Sequence, residues 1–493
     1  MNLAEHLERT AAARPDHIAI KLDDATLTYT ELDAASQQMA GLLAERGIGP
    51  GDRVALMAPN VPQWAIVYFG VLRVGAIAVP MNPLLKEREV AYFLTDSGAG
   101  LMFAWHGFRD EAEAGAELAG TEVIVIDPAE FPGLLTATTP VGGVVAREDA
   151  DTAVLLYTSG TTGAPKGAEL THGNLTHNVE LAVSDLLHAT SDDVIFGGLP
   201  LFHVFGQTCG LNVAVAAGAT LTLLPRFDPA KALEVLVRDG VTIFEAVPTM
   251  YTALLNYPAR ADYDLSSLRV CASGGAALPI EVLTGFEKAF GCPVLEGYGL
   301  SETSPIASFN LRDSRKPGSV GMPVAGVEMR VLDEDGTDVA EEAVGEIVIR
   351  GKNVMKGYWG KPEATAASIK QGWFHSGDLG YRDEDGFYFI VDRKKDMIIR
   401  GGYNVYPREV EEVLHEHPAI AEAAVLGTPH AEWGEEVCAV VSLKPGATAA
   451  PEEIREFVKA RIAAYKYPRI VQVVAALPKG PTGKILKREI SIA

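Results

Sequence analysis

The stretch that decides the class of this fold spans residues 153–167 and reads AVLLYTSGTTGAPKG. Its first five residues are apolar and typical of a buried strand. The remainder supplies glycines, which let backbone N–H groups turn toward an anion, and a lysine, which adds a mobile positive charge. The stretch therefore predicts a phosphate-binding loop after a strand, with candidate contacts from Thr158, Ser159, Gly160, Thr161, Thr162, Gly163 and Lys166.

This loop differs from a Walker A loop. That motif places glycine directly before its lysine and a helix after it, whereas here Pro165 precedes Lys166 and residues 168–170 have an extended pattern. The sequence also lacks the G-x-S-x-G turn of serine hydrolases. Both of those enzyme classes are therefore disfavoured.

Length and composition indicate a multidomain enzyme. The chain has 493 residues, whereas single hydrophobic cores stop growing at about 250 to 300 residues. Hydrophobic residues make up 48% and charged residues 22%, which argues against a disordered or coiled-coil protein. The formal charge of −23 repels phosphates and anionic membranes, so non-specific nucleic-acid binding is disfavoured as well.

The cysteines and the first residues indicate a cytoplasmic protein. The four cysteines form no C-x-x-C pair, as expected for buried apolar residues in a reducing compartment. Residues 1–9 lack the apolar core of a secretory signal. The longest apolar stretch, residues 211–224, is too short to span a bilayer. We therefore expect a cytoplasmic location and no transmembrane segment.

Charge divides the chain into two parts. Residues 394–493 carry 14 Lys and Arg against 13 Asp and Glu, whereas residues 1–393 carry 28 against 52. The change coincides with a charged run at residues 392–396, although a solvated turn would explain that run equally well. We expect a large N-terminal domain over residues 1–393 and a small C-terminal domain over residues 394–493.

Local patterns predict the class of each part. Thr30 can cap a helix with Leu32 and Met39 on its apolar face, and residues 54–57 form a strand, which is α/β organisation. Strands and acidic turns across residues 318–357 predict a small β-rich subdomain. An α+β unit is predicted at the end of the chain, with helices over 409–415 and 451–464 and strands over 420–427 and 437–443.

A second cluster, residues 296–305, combines an aromatic ring, a hydroxyl group and a carboxylate with tight-turn glycines. Tyr298 can stack on a base. Glu302 can hold Mg²⁺, which prefers hard oxygen ligands, although a surface carboxylate is the commoner explanation for a glutamate taken alone. Asp378 can accept hydrogen bonds from both ribose hydroxyl groups. These residues are compatible with a nucleotide site, and none is decisive by itself.

Five ordered motifs together resemble the adenylate-forming superfamily, which includes acyl-CoA synthetases, aryl-CoA ligases, luciferases and the adenylation domains of peptide synthetases. The resemblance covers essentially the whole chain and is strongest toward fatty acyl-CoA ligases. It implies an α/β fold in which a large N-terminal domain has two α/β subdomains plus a small β-barrel-like subdomain, followed by a small mobile α+β C-terminal domain. The motifs occupy residues 158–167, 296–305 and 375–379, Arg393 with 401–407, and residues 478–484.

The resemblance implies a two-step reaction that uses ATP, Mg²⁺ and CoA, or a holo acyl carrier protein instead of CoA. A carboxylate attacks the α-phosphate of ATP to give acyl-AMP and pyrophosphate, and a thiol then displaces AMP to give a thioester. By motif position, Thr158 and Glu302 hold Mg²⁺. The residues implied at the nucleotide, besides the phosphate loop, are Gly275, Ala276, Glu296, Gly297, Tyr298, Gly299, Ser301, Asp378, Arg393 and Lys484.

Lys484 is the residue on which we expect adenylation to depend most. By motif position its ammonium bridges the carboxylate and the α-phosphate, two anionic groups that react only if positive charge meets them. In the family the small domain swings about a hinge between the two steps, and Lys395 occupies the hinge position. The same resemblance implies that Gly401 and Gly402 then face the pantetheine channel.

On the acyl side, His203 matches the family histidine that borders the carboxylate and the thiol channel. A buried histidine satisfied by hydrogen bonds is the alternative explanation. The positions expected near the acyl chain include no charged residue, which favours an apolar acid over a dicarboxylate. Those positions are His203, Val204, Phe205, Gly206, Gln207, Val247, Met250, Gly274 and Ile306.

The leading prediction is an ATP-dependent ligase for a medium- to long-chain fatty acid and CoA. Transfer to an acyl carrier protein and an aryl- or cinnamyl-CoA ligase are the alternatives from the same family. A nucleotide-binding regulatory protein with degenerate chemistry is the alternative from another class, and intact Lys166, Glu302, Asp378 and Lys484 argue against it. The sequence leaves a monomer and a homodimer equally open.

Overall fold

The computed structural model describes residues 1–158 and 164–492. The chain forms a mixed α/β fold with a large N-terminal domain and a smaller C-terminal domain, as predicted. Five of the candidate phosphate contacts lie outside the described residues, namely Ser159, Gly160, Thr161, Thr162 and Gly163.

Two large sheets, built mostly of parallel strands, form the body of the N-terminal domain. Parallel strands are covered on both faces by crossover helices and therefore read as apolar runs. The Thr220–Leu223 strand, for example, is buried throughout. In the first sheet the spatial order is Met322–Pro323, Ile306–Phe309, Val294–Gly299, Val270–Ser273, Ile243–Ala246, Val194–Gly197, Thr220–Leu223, Ile18–Leu22 and Ala25–Thr28.

The second sheet carries the strand that precedes the phosphate loop, Thr152–Thr158. This strand pairs antiparallel with Lys166–Thr171, so the extended pattern predicted after Lys166 is confirmed. The predicted strand at residues 54–57 is also present, as Arg53–Met57. The spatial order is Gly357–Tyr358, Lys166–Thr171, Thr152–Thr158, Ile77–Met81, Arg53–Met57, Leu101–Trp105 and Glu122–Ile126.

A smaller antiparallel sheet forms the β-barrel-like subdomain. The sequence pattern places the β-rich segment at residues 318–357, but the sheet extends to Arg393. The reason is that Trp373–Arg382 pairs with Gly345–Gly351 on one side and with Tyr388–Arg393 on the other. Val327–Leu332 and Ile369–Lys370 complete the sheet.

The C-terminal domain has its own sheet with two helices, Pro407–His415 and Pro451–Lys459. The helix predicted over residues 451–464 ends early, because the chain reverses there to enter the strand Ile470–Val474, parallel to Gly434–Leu443. The strands of this sheet lie in the spatial order Tyr403–Val405, Ile398–Arg400, Gly434–Leu443 and Ile420–His430.

The helix predicted from Thr30 is present as Tyr29–Glu45, but its N-cap is Thr28. Thr28 Oγ1 accepts a hydrogen bond from Glu31 N at 3.2 Å, and the Glu31 carboxylate accepts one from Thr28 N at 2.8 Å. Thr30 donates instead to Pro15 O. The predicted cap was therefore wrong by two residues, because the carboxylate three residues after the cap completes a capping box only with Thr28.

Helices cover both large sheets, and one of them lies between the sheets. Trp64, Tyr68 and Phe69 of the Pro62–Arg73 helix are at most 1% exposed, as expected for a helix that is apolar all round. The remaining α-helices of the N-terminal domain are Glu5–Ala13, Tyr29–Glu45, Glu87–Ser97, Arg109–Ala119, Phe131–Thr136, His172–Leu181, Val213–Ala217, Pro229–Arg238, Pro248–Leu255, Ile280–Phe290 and Pro362–Ser368.

Two of the helices of the N-terminal domain contain a short π-helical segment. Two π-helical segments, Ala182–Leu186 and Gly206–Asn212, extend neighbouring α-helices.

Within the described residues no helix is long and apolar enough to cross a membrane. All four cysteines are buried, as predicted: Cys209, Cys271, Cys292 and Cys438.

Candidate active site

A cavity of about 1470 Å³ lies where the two large sheets, the β-barrel-like sheet and the C-terminal domain meet. The strands Ile243–Ala246 and Val270–Ser273 end at its wall. Ligands of parallel α/β sheets bind at the carboxyl ends of strands, so the topology alone makes this edge the place to look for a site.

One corner of the cavity lies at the end of the Thr152–Thr158 strand, where side chains from distant segments come together. Thr158 Oγ1 donates a hydrogen bond to Glu302 Oε1 at 3.1 Å, and the phenol of Tyr358 donates to the same oxygen at 2.9 Å. The Lys166 ammonium lies 5.1 Å from the centre of the Tyr358 ring. A hydroxyl, a buried carboxylate and a cation thus meet at the phosphate loop.

The turn that carries Glu302 requires glycine at position 299. A Cβ built on Gly299 would lie 1.6 Å from Pro305 O, which no side chain can tolerate. The close approach folds residues 299–305 back on themselves, so that Ser301 and Glu302 both line the cavity. The local sequence therefore dictates where the carboxylate is presented.

A polar network lines the adjacent wall. The phenol of Tyr298 donates a hydrogen bond to Asp378 Oδ2 at 2.7 Å, and Arg393 Nε lies 3.3 Å from Asp378 Oδ1. Asp378 is 5% exposed, and its register opposite Arg393 comes from the pairing of Trp373–Arg382 with Tyr388–Arg393. Residues from two sheets are therefore held together before any nucleotide binds.

Glu296 is the buried member of the second motif. Leu278 N donates to its Oε1 at 3.0 Å, and burial raises the pKa of Glu296 to about 7. Gly275, Ala276 and Gly297 line the cavity beside it. The predicted nucleotide residues with described positions thus all lie around one space.

Lys484 reaches this space from the C-terminal domain. The loop before it docks on the N-terminal domain, where Thr249 Oγ1 donates a hydrogen bond to Gly483 O at 2.8 Å. Gly483 has φ of +79°, and an added Cβ would lie 2.9 Å from Thr249 Oγ1, so this contact requires glycine. The sequence placed Lys484 at the site through a distant motif, and the structure brings it into the cavity.

The electrostatic surroundings of Lys484 weaken its hold on a proton. Enclosure by the cavity walls and the positive charge of Arg393 lower the pKa of the Lys484 ammonium to about 8, against the opposing effect of Asp378. The side chain remains accessible to water inside the cavity. A bound anion would favour the charged form.

His203 lines the same cavity. Enclosure, together with the charge of Lys484, lowers the pKa of His203 to about 4, so its imidazole is neutral near pH 7. Its Nδ1 accepts a hydrogen bond from Phe205 N at 3.3 Å. A neutral imidazole that accepts at Nδ1 carries its proton on Nε2 and can donate there.

The predicted acyl positions divide into two groups. Val204, Phe205, Val247, Gly274 and Ile306 line the cavity with His203. Gly206, Gln207 and Met250 are buried behind that lining.

The residues expected in the pantetheine channel and at the hinge lie elsewhere. Gly401 and Gly402 form the exposed turn between Ile398–Arg400 and Tyr403–Val405 and do not line the cavity in the described part of the chain. Lys395 is exposed in the turn that follows Arg393. In this conformation the C-terminal domain presents Lys484, and not the glycine turn, to the cavity.

Tyr358 and Glu245 are among the residues of the cavity wall that sequence reasoning missed. Tyr358 reaches Glu302 because Gly357–Tyr358 pairs with Lys166–Thr171, a register that no local pattern reveals. Glu245, in the strand Ile243–Ala246, also lines the cavity, and it is not among the positions predicted near the acyl chain. An acidic residue inside an otherwise apolar strand was the available signal.

Comparison with known proteins identifies the family to which the chain belongs. Residues 7–359 match the family model described as AMP-binding enzyme, and residues 409–484 match the model of its C-terminal domain. The chain belongs to the AMP-binding enzyme family. It is an acid–thiol ligase, and the adenylate-forming resemblance inferred from the motifs is confirmed.

Similar proteins include ligases for aliphatic and for aromatic acids. The chain is 40% identical over 520 residues to the long-chain-fatty-acid–CoA ligase of Bacillus subtilis (strain 168), covering 98% of this chain and 93% of that protein. It is 37% identical to a feruloyl-CoA synthase from Amycolatopsis sp, covering 98% and 97%. A crystal structure of an anthranilate CoA ligase in complex with anthranoyl-AMP superposes with a TM-score of 0.94, at 30% identity and 98% and 95% coverage.

Proposed function

We propose that this enzyme activates a medium- to long-chain fatty acid with ATP and transfers the acyl group to CoA. The observation that carries the proposal is the position of Lys484, which enters the cavity between the polar wall of Asp378 and Arg393 and the apolar wall of Val247. Similarity to the Bacillus subtilis ligase supports the aliphatic substrate.

In the first step, Lys484 neutralises the carboxylate and the α-phosphate as they approach. One charge pair at about 4 Å and an effective dielectric of about 20 contributes on the order of 4 kcal/mol, or roughly a thousandfold in rate. His203 Nε2 donates a hydrogen bond that orients the carboxylate. Lys166, with the phosphate loop, holds the β- and γ-phosphates, and the pyrophosphate leaves on that side.

The nucleotide is held by the adjacent wall. The Tyr298 ring lies against the adenine, the backbone at Gly275 and Ala276 borders its edge, and Asp378 accepts hydrogen bonds from the ribose. Asp378 is held in place by Tyr298 and Arg393, so little reorganisation accompanies binding. Ser301 and Glu296 complete the pocket.

The oxygens present suit Mg²⁺. Thr158 and Glu302 offer a hydroxyl and a carboxylate 3.1 Å apart, and Mg²⁺ uses one or two protein oxygens together with water and phosphate. When bound there, the ion neutralises charge on the phosphates. Thr158 and Glu302 are the residues that would hold it.

In the second step, the C-terminal domain, residues 394–493, rotates about Lys395. Lys484 leaves the cavity, and Gly401 and Gly402 approach it, giving the pantetheine arm of CoA a path to the acyl-AMP. The exposed turn at Lys395 can absorb the backbone change. The thiol displaces AMP and forms the thioester.

An aromatic acid is the second candidate substrate. The similarity to the feruloyl-CoA synthase and to the anthranilate CoA ligase structure favours it. Both candidates use the same nucleotide wall and differ only in the acid that enters between Phe205 and Val247.

A pyrophosphate-release screen of saturated, unsaturated and aromatic acids tests the proposal. We expect the highest kcat/KM for a fatty acid of medium to long chain with CoA as acceptor. Mass spectrometry of the thioester product, with CoA and holo acyl carrier protein offered separately, identifies the acceptor. Pyrophosphate release with aromatic acids alone would contradict the fatty acid assignment.

A further inference from the structure

A buried carboxyl group, Glu245, lies in the wall of the acyl side of the cavity. Its residue is 1% exposed, and it lines the cavity together with Ser273 and Cys209. Alternate residues of an extended chain face the same side, so Glu245 and Val247 share one face, about 7 Å apart. Val247 borders the docked loop at Gly483, so Glu245 lies deeper in the pocket than the reacting groups.

The Glu245 carboxyl group has no protein partner among residues 1–158 and 164–492, where neither of its oxygens accepts or donates a hydrogen bond. Buried polar groups are normally hydrogen-bonded. Unpaired groups that line a cavity point to a ligand that pairs with them.

Glu296, whose Oε2 also has no partner among the described residues, differs from Glu245 because its other carboxyl oxygen is paired. Glu296 is equally buried, yet it accepts a hydrogen bond from Leu278 N. Glu245 lies instead against the π-helical segment Gly206–Asn212, where a Cβ built on Gly210 would be 3.9 Å from Glu245 Oε2. The segment therefore approaches the carboxyl group, and among the described residues it supplies no hydrogen bond to it.

The chemistry of this group selects its partner. Burial raises the pKa of Glu245 to about 8, so near pH 7 it is a neutral acid that offers one O–H donor and one carbonyl acceptor. A charged partner would lose its hydration in this enclosed space. An uncharged group that both donates and accepts, such as a hydroxyl, fits both atoms.

We propose that Glu245 forms a polar subsite that selects a carboxylic acid bearing an uncharged hydroxyl group along its chain or on its ring. This inference rests on the proposed acid-activating function and narrows its substrate class. Hydroxylated fatty acids and phenolic acids share this chemistry. Glu245 is then a specificity-determining residue that touches the substrate away from the reacting carboxylate.

Matched pairs of acids test the proposal. Pyrophosphate release is measured with a saturated fatty acid against its mid-chain hydroxylated derivatives, and with cinnamic acid against 4-hydroxycinnamic acid. In at least one pair we expect wild-type kcat/KM to be about tenfold to a hundredfold higher for the hydroxylated member, because the parent acid leaves the subsite unpaired. Which pair shows the preference identifies the source of the hydroxyl group.

Two variants locate the effect. Glu245→Leu should abolish or reverse the preference for the hydroxylated acid and leave the KM for ATP unchanged, whereas Glu245→Gln, which keeps a donor and an acceptor, should retain most of it. Thermal unfolding of both variants reports on folding. If Glu245→Leu does not fold, wild type and Glu245→Gln still decide the outcome.

The outcomes separate this inference from the proposed function. If no acid supports pyrophosphate release by the wild type, the proposed function is wrong. If acids are activated but the wild type favours the unsubstituted member of every pair, or folded Glu245→Leu keeps the wild-type preference, the subsite assignment is overturned while the ligase function stands.

Discussion

Two loops of the C-terminal domain differ in where they lie. The loop that ends at Lys484 is docked on the N-terminal domain, with Gly483 bonded to Thr249 and the lysine inside the cavity. The turn at Gly401 and Gly402 is exposed and lies outside it. One rigid domain presents one loop at a time, which suggests that the two half-reactions use different positions of the same domain.

Contacts inside and outside the C-terminal domain support this view. Lys487 pairs with Glu411 at 2.7 Å, which ties the lysine loop to the helix Pro407–His415 of its own domain. The same helix touches the body through Arg408, whose guanidinium donates to Ile390 O at 2.6 Å. In the proposed rotation the loop would move with the domain, and the hydrogen bonds that join Arg408, Glu412 and Gly483 to the body would have to break.

The largest effect is expected from Lys484→Ala. Losing the ammonium should reduce acyl-AMP formation roughly a thousandfold, whereas conversion of supplied acyl-AMP to thioester should persist, because the lysine leaves the cavity before that step. ATP–pyrophosphate exchange and thioester formation are measured separately. Lys459→Ala, which removes an exposed lysine of the same domain, is the matched control. Equal loss of both half-reactions would contradict the assignment of the Lys484 loop to adenylation and of the Gly401 turn to thioester formation.

Alkaline pH should reduce adenylation as Lys484→Ala does, because it removes the charge of the Lys484 ammonium. The pKa of Lys484 is lowered to about 8, so the ammonium is present below pH 8 and is lost above it. For adenylation, kcat/KM should fall roughly tenfold for each pH unit above about 8. In Lys484→Arg, whose guanidinium keeps its charge, any residual activity should lack this decline. A decline that survives in Lys484→Arg would assign it to another group.

Restricting the proposed hinge at Lys395 should impair thioester formation and spare adenylation, the reverse of the effect expected from Lys484→Ala. Lys395→Pro limits the backbone rotation in the turn, and no hydrogen bond described for the chain uses the Lys395 N–H. Adenylation should persist, and thioester formation should fall roughly tenfold or more. Lys395→Ala removes the same charge without the restriction, so it should behave like the wild type in both steps. If proline slows only adenylation, the hinge lies elsewhere.

The smallest effect is expected from Thr249→Val. It removes the hydrogen bond to Gly483 O, which is worth about 0.5 to 1.5 kcal/mol, so adenylation should fall by roughly 2-fold to 12-fold. Thioester formation from acyl-AMP should not change, since the loop is then undocked. Thr284→Val, at an exposed helical position, should affect neither step. A loss confined to thioester formation would mean that the observed docking belongs to the second step.

Much of the site was predictable because its residues cluster in short motifs. Thr158, Tyr298, Glu302 and Asp378 were named from local sequence and Lys484 from the family resemblance, and the structure gathers all five around one cavity. Their spacing along the chain says nothing of how far apart they lie. Tyr358 was missed because it joins Glu302 through strand pairing, and Glu245 because a single carboxyl in a strand carries no motif.

The same division holds for the fold. The predicted strand at residues 54–57 matches the structure within one residue at each end, because a short apolar run between polar and turn residues marks a strand locally. The extension of the β-barrel-like sheet to Arg393 was not found, because it depends on strand pairing, whereas the cap at Thr28 was overlooked although Thr28 and Glu31 form a capping box that the sequence shows. Element bounds follow from contacts that a periodic pattern does not contain.

The sequence by itself determined the family, the two-domain organisation and the identity of the residues suited to phosphate, ribose and carboxylate chemistry, because those requirements are written in side-chain type and order along the chain. Only the tertiary structure decided that Lys484, and not Gly401, enters the cavity, and that among the described residues Glu245 has no hydrogen-bond partner at the cavity wall. Burial and docking depend on which distant segments meet, and packing between strands and domains fixes that.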